Sequence, residues 1–200
     1  MCRIGIPTAS EFSQIITPAK LELSKSARTY RYRLLSERLT GEPADTQDGG
    51  VETLWMARGK TLEHEAFQAY ALLTGREPRA CGFCWRDDKQ SGCSPDALVG
   101  DDGLLEMKCE SLPVFLSRVC ESGVPLEHWM QVQGELWVTG RAWADFVAYY
   151  PGLPLHIFRA TPDAAVQDAM TAHIATFCKT LNAEHERLIS LGYDLRQEAA

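Results

Sequence analysis

The sequence predicts an α/β domain built on a central mixed sheet flanked by helices. Three observations carry this. Alternating apolar runs bounded by turn residues mark strands in 77–86, in 94–109, at 143–150 and at 155–159. Apolar residues at helical spacing mark segments before, between and after those runs. The resulting order is helices, a three-strand unit, two helices, two strands and a last helix, which suits helices layered on a mixed sheet.

Taken in order, Thr8-Ala9-Ser10-Glu11 reads as a helix start, with Thr8 or Ser10 as N-cap and Phe12, Ile15 and Ile16 at helical spacing. A second helix is expected from Ser26 to Leu39, stopped by Gly41, and the turn-rich stretch 41–50 reads as a loop. Val51–Thr74 should be a long helix, with Leu54, Ala57, Leu62, Ala66, Ala69, Tyr70 and Leu73 as its buried stripe and Gly75 ending it. Residues 77–86 read as one strand leading through Asp87-Asp88 to a hairpin in 94–109. Helices at Leu112–Glu121 and Leu126–Thr139 follow, the latter ended by Gly140. Trp143–Tyr150 and Leu155–Arg159 read as antiparallel strands broken by Pro151-Gly152, and a helix from about Pro162 to Leu191 closes the pattern.

The 200 residues contain no Pro/Gly/Ser-rich linker and no internal repeat, so a single domain over 1–200 is expected. No apolar run approaches the roughly 18 residues of a membrane span, and the N-terminus lacks the apolar core of a signal peptide. Seven cysteines at irregular spacing suit reduced thiols in a cytoplasmic protein. A net charge of −7 argues weakly against nucleic-acid binding, which depends on local patches. One basic patch stands out: Lys20, Lys25, Arg28, Arg31, Arg33 and Arg38 against Glu22 and Glu37. It suits either a phosphate contact or a solvated helix face.

The chemistry concentrates in Ser94–Cys109, SPDALVGDDGLLEMKC. A two-residue loop at Asp101-Asp102 would put Asp96 and Glu106 on opposite faces. A three-residue loop, Asp101–Gly103, pairs Gly100 with Leu104, Leu98 with Glu106 and Asp96 with Lys108, with Gly103 at the positive-φ position such loops need. In that register Asp96, Glu106 and Lys108 share one face, and Ala97, Val99, Leu105 and Met107 share the other. Two carboxylates at the end of a strand pair suit Mg²⁺, a hard cation that takes oxygen ligands. A lysine two residues on can position or help deprotonate an attacking water and offset charge on phosphate. The bare spacing also suits a surface hairpin with three solvated charges, and the flanks decide. Glu63, one turn beyond Gly59, is a third candidate carboxylate. A helix N-terminus beside Arg3 would make a phosphate site.

Pro95-Asp96 followed by Glu106-x-Lys108 resembles the PD-(D/E)xK signature of restriction-endonuclease-like nucleases. RIGIPTASEF, RGKTLEHEAFQAY, CSPDALVGDDGLLEMKC and MQVQGELWVTGRAWADFVAYYP, in that order, resemble the phage lambda exonuclease or YqaJ-type viral recombinase family over roughly three quarters of the chain. The resemblance implies a restriction-endonuclease-like core and a 5′→3′ exonuclease that degrades one strand of double-stranded DNA from its ends. It implies Mg²⁺ as cofactor, two ions per site with Mn²⁺ able to substitute. It implies a processive ring-shaped homotrimer, encoded by phage or bacterium, working beside a single-strand annealing protein. Carried over residue by residue, Asp96, Glu106 and the Met107 carbonyl hold metal, and Glu63 serves the second ion. Lys108 positions or activates water, Gln133 braces the site, and Arg3, helped by Ser10 and Ser94, holds the 5′-phosphate. Asp87 resembles a further family acid at a spacing one residue short, with Asp88 competing, and Gln131 is a second glutamine candidate.

Cys81-x2-Cys84, Cys93 and Cys109 suggest a zinc or iron–sulfur site, but alternation along one strand separates Cys81 from Cys84, so structural thiols are expected. Trp137 is the one tryptophan expected to support the site. Two other functions fit the same core: a structure-specific or repair endonuclease, and a non-catalytic DNA-end-binding scaffold. The intact set Asp96, Glu106, Lys108 and Glu63 disfavours the scaffold, and no G-x4-GK[ST] motif for ATP occurs.

Overall fold

The computed structural model describes residues 3–44 and 54–196, with backbone alone for 54–61. Five strands form a mixed sheet in the order β1 (Pro78–Ala80), β4 (Ala97–Val99), β5 (Gly103–Cys109), β6 (Trp143–Tyr149) and β7 (His156–Ala160). All neighbours are antiparallel except β5 and β6, which run parallel. A parallel pair needs a long crossover, and α4 (Leu112–Cys120) with α5 (Leu126–Thr139) supplies it.

The expected strand at 77–86 is broken. Residues 81–83 leave the sheet, and β2 (Cys84–Trp85) pairs with β3 (Gly92–Cys93) as a separate ribbon. The alternation of 77–86 does not reveal the break, because the partner that ends β1 is the short β4.

Layers follow from which faces are apolar. On one side, Ala66 and Tyr70 of α3 (Leu54–Thr74) pack on Ala97, Val99, Leu105, Met107 and Val147. On the other, Val132 and Leu136 of α5 pack on Leu104, Ala144, Phe146 and Ala160. The opposite flank of α5, with Met130, Trp137 and Val138, packs on a third layer. That layer holds the 3-10 turn Ala9–Glu11, α1 (Phe12–Ile15), α2 (Ala27–Thr40) and α6 (Ala164–Ser190). Buried on both flanks, α5 carries even polar residues inside.

Helix ends match expectation closely. Gly41, Gly75 and Gly140 adopt positive φ just past their helices. α6 starts at Ala164, where Asp163 caps it by accepting from the Val166 amide. Leu73, assigned to the buried stripe of α3, is exposed, as is Leu72. The expected helix start at Val51 and the inward placement of Leu54 and Ala57 lie outside the described residues and side chains.

The hairpin departs from the expected register by two residues. Val99 pairs with Gly103 and Leu98 with Leu104, so the loop is Gly100–Asp102 and Gly100 takes the positive φ. Gly103 lies in the strand for a steric reason: a Cβ there would come within 2.1 Å of the Trp143 ring. A shift of two preserves the faces, so Asp96, Glu106 and Lys108 stay together, and it sets Asp96 opposite Glu106 instead of Lys108.

A buried polar network ties the sheet to α3. Asp145 of β6 accepts from the Tyr70 hydroxyl at 2.7 Å and is clamped by Nε and Nη2 of Arg159 at 2.7 and 2.8 Å. Arg159 also stacks on Trp143, 3.8 Å from its ring centre, which holds that ring over Gly103. Gly103→Ala should therefore destabilise the protein by about 1–3 kcal/mol, read as a lower urea midpoint.

Candidate active site

β4 stops at Ala97 while β5 runs on to Cys109, which leaves the β4-facing edge of β5 open past Leu105. Asp96 fills it. Its Oδ2 accepts from the Met107 amide at 2.6 Å, replacing the ladder bond β4 no longer supplies. A strand residue sends its N–H and C=O to the same edge, so the Met107 carbonyl also faces the side where Asp96 stands.

Across from Asp96, Glu106 is 2% exposed. Its Oε1 accepts from the Lys108 ammonium at 2.6 Å and from the Gln131 side chain at 2.6 Å. Its Oε2 is buried and has no partner among the described residues. Gln131 also donates to Glu135 Oε1 at 3.0 Å, and Glu135 is 1% exposed with an equally unpartnered Oε2. Glu63 approaches from the other layer, close enough that its charge raises both the Asp96 carboxyl and the Cys109 thiol.

Crowding of carboxylates shapes the electrostatics. Burial, and then the neighbouring Glu106, push the Asp96 carboxyl up to about 7. Glu135 is raised well above the usual carboxylate range by burial and by Glu106. Burial works to lower the Lys108 ammonium, but the Glu106 charge and hydrogen bond outweigh it, so the net shift is upward and Lys108 is held as a cation. His128, stacked on Phe146, is driven down to about 4 by burial and by Lys108.

Arg3, Thr8, Ser10 and Ser94 line one pocket of 170 Å³ together with Asp96, Glu106, Gln131 and Glu135. The N-terminal segment reaches it because α5 has a glycine where the chain crosses: a Cβ on Gly134 would stand 2.7 Å from the Phe12 ring and 3.0 Å from the Ala9 Cβ. Trp137, expected to support the site, does so at one remove, by an edge contact with Phe12 at 5.9 Å between ring centres.

Of the residues singled out in the sequence, Arg3, Ser10, Ser94, Asp96, Glu106 and Lys108 thus come together, and Gln131 joins them. Gln133 does not. Its amide donates to the Thr161 carbonyl at 2.9 Å and accepts from the Asp163 amide at 2.8 Å, bracing the start of α6. Both glutamines carry the same sequence signal, and only the rotation of α5 separates them. Asp87 is exposed in the β2–β3 turn, and Asp88 accepts there from the Gln90 amide and forms a 4.0 Å ion pair with Arg86. Neither acid lines the pocket, because residues 81–93 form the side ribbon. Three of the six residues of the basic patch are engaged internally: Arg31 pairs with Glu184, Arg33 with Glu11, and Arg38 donates to Gly5 and Asn182.

Sequence reasoning missed Glu135, a carboxylate inside an apolar helical run. It also missed Arg118, buried between Glu110 at 3.2 Å and Glu127. The expected separation of Cys81 from Cys84 along one strand is corrected too. Because the strand breaks at 81–83, the Cys84 thiol contacts both Cys81 and Cys93, and hydrogen bonding from Cys93 lowers Cys84 to about 6.

The donor set suits a hard divalent cation: carboxylate oxygens from two sides, a backbone carbonyl at the same edge, and a buried Glu106 oxygen with no donor. Among the described residues no three His, Cys, Asp or Glu side chains already converge as a ligand set.

An α/β fold with this mixed sheet and these carboxylates beside Lys108 is of the restriction-endonuclease-like class. Residues 1–142 match the YqaJ-like viral recombinase domain, and the chain belongs to that family, the family of the lambda exonuclease. No protein of curated function matches it. Two crystal structures of an alkaline exonuclease from Laribacter hongkongensis, LHK-Exo, one in complex with dAMP, superpose with a TM-score of 0.82 at 30% identity. Each covers 95% of this chain and 94% of its own. A phage-related exonuclease from Haemophilus somnus 129PT shares the fold, with a TM-score of 0.67 at 17% identity over 92% of this chain and 95% of that one.

A carboxyl held up at about 7, against 3.8 when free, binds a proton in the folded state that the unfolded state has lost. Such a group makes stability fall as pH rises through that window. In chelator, the melting temperature should decline from about pH 4 to 7, and Asp96→Asn should remove its share and raise the melting temperature at pH 8. Parallel wild-type and mutant curves would contradict this.

Proposed function

We propose that this protein is a divalent-metal-dependent deoxyribonuclease of phage-type recombination that degrades one strand of double-stranded DNA from a 5′-phosphorylated end. One observation carries the reading: the cation Arg3 and the hydroxyls Ser10 and Ser94 share a pocket with Asp96 and Glu106. A guanidinium and two hydroxyls recognise a terminal phosphate, and carboxylates of this kind hold the ions that phosphodiester hydrolysis uses. Such chemistry on DNA releases a deoxynucleoside monophosphate, the kind of molecule with which the Laribacter exonuclease was crystallised.

Asp96, Glu106 and the Met107 carbonyl would hold one Mg²⁺, and Glu63 would serve a second. When bound, the ions supply an activated water and stabilise charge on the leaving oxygen. The residues of the chain do the rest. Arg3 fixes the terminal phosphate, so only the first internal linkage lies over the carboxylates. Lys108, held as a cation, orients the water and offsets charge on the phosphorane. Gln131 keeps Glu106 in place. The water oxygen bonds to phosphorus as the P–O3′ bond breaks. The departing nucleotide takes its own 5′-phosphate and a 3′-hydroxyl, and the strand left behind carries a new 5′-phosphate. Each turnover thus recreates the end that Arg3 recognises, which favours processive digestion. A homotrimeric ring and a single-strand annealing partner, both implied by the family resemblance, complete the proposal. Sedimentation at three times the chain mass would support the ring.

The test compares linear duplex with a 5′-phosphate, linear duplex with a 5′-hydroxyl, and closed circles, each with Mg²⁺. Loss of one strand from phosphorylated ends with intact circles is the expected outcome, and cutting of circles would instead indicate an endonuclease. Lys108→Ala should slow cleavage at least about 100-fold. Arg3→Ala should cost about 10–100-fold on 5′-phosphorylated ends and little on hydroxyl ends. Equal loss on both would remove Arg3 from that role.

A further inference from the structure

Glu135 has no part in the chemistry above, yet it is the most deeply placed carboxylate at the site. It projects from α5 one turn after Gln131 and lines the same pocket as Asp96 and Glu106. Gln131 Nε2 bridges Glu106 Oε1 and Glu135 Oε1, at 2.6 and 3.0 Å, so one amide fixes both carboxyl groups. Each keeps a second oxygen that is buried and has no donor among the described residues.

Lys108 already compensates Glu106 at 2.6 Å, but the buried Glu135 beside it is held only by the neutral Gln131 amide, and an uncompensated charge in such a place is very costly. A single proton or a divalent cation would serve. The surroundings favour the cation. Asp96 and Glu106 already stand where an ion is needed, and a buried carboxylate kept only for packing would be served as well by a glutamine. We propose that Glu135 is a third carboxylate of the divalent-ion site, facing the ion together with Glu106 and Asp96. This rests on the nuclease reading and deepens it. Gln131 then acts as the positioning residue that presents both glutamates to one ion. Ser94 and Thr8 line the same pocket.

The substitution that separates the alternatives is Glu135→Gln. A glutamine keeps the shape, still accepts from Gln131 and can donate its own N–H to Glu106, so it satisfies every structural need that a shared proton meets. It cannot serve as an anionic ligand. Mn²⁺ binding to the DNA-free protein is counted by electron paramagnetic resonance of the free hydrated ion, with thermal melts in parallel. Glu106→Gln is the control and Glu135→Ala a second variant. The expected result is that Glu135→Gln melts at or above the wild-type temperature yet binds Mn²⁺ at least about tenfold more weakly, with Glu135→Ala showing the same loss. If Glu106→Gln loses Mn²⁺ while both Glu135 variants bind it like wild type, Glu135 is not part of the ion site and the nuclease reading stands. If Glu106→Gln binds Mn²⁺ like wild type, no ion is held in this pocket and both conclusions fall.

Discussion

The hydrogen bond from the Met107 amide to Asp96 sits where β4 ends and β5 continues, and the rest of the site is arranged around that unequal pair. A strand edge inside a protein must have its amides satisfied. Here a carboxylate does what a longer β4 would otherwise do. That choice keeps the edge polar and open, brings Asp96 opposite Glu106, and leaves the Met107 carbonyl directed at the same space. A longer β4 would have closed the edge with backbone and left no room for an ion or a phosphate.

Holding so many carboxylates in one place carries a cost that the surrounding structure absorbs. Lys108 neutralises Glu106, Gln131 spans Glu106 and Glu135, and burial shifts Asp96 and Glu135 toward their protonated forms. The site is thus set against its own stability, a common condition of functional clusters. Compensation comes from the far end of the sheet. There Asp145 is paired by Arg159 and Tyr70, and the Trp143 ring rests on Gly103. The two ends answer different demands on the same strands, β5 and β6.

Gly134 makes the connection between chemistry and recognition. It lets the N-terminal turn lie directly on α5, which helps carry Arg3, Thr8 and Ser10 to the carboxylates. Because α5 is buried on both flanks, it also carries Gln131 and Glu135 to the pocket while Gln133, half a turn away, holds α6. One helix therefore orients the site and anchors the layer that bears the phosphate contacts.

The sequence by itself determined the mixed α/β architecture, most element ends, and the grouping of Asp96, Glu106 and Lys108. These follow from local rules: alternation assigns faces, glycines end helices, and a register error of two leaves faces unchanged. Only the tertiary structure decided the rest. Gly100 rather than Gly103 makes the turn because Trp143 occupies the space above Gly103. Gln131 rather than Gln133 meets Glu106 because packing on both flanks sets the rotation of α5, and periodicity cannot fix a rotation when every face is buried. Asp87 leaves the site and the three thiols meet because the strand at 77–86 breaks where β4 runs out. Glu135 was invisible for the same reason as Gln131: what a side chain faces across a layer is set by residues far away in the chain.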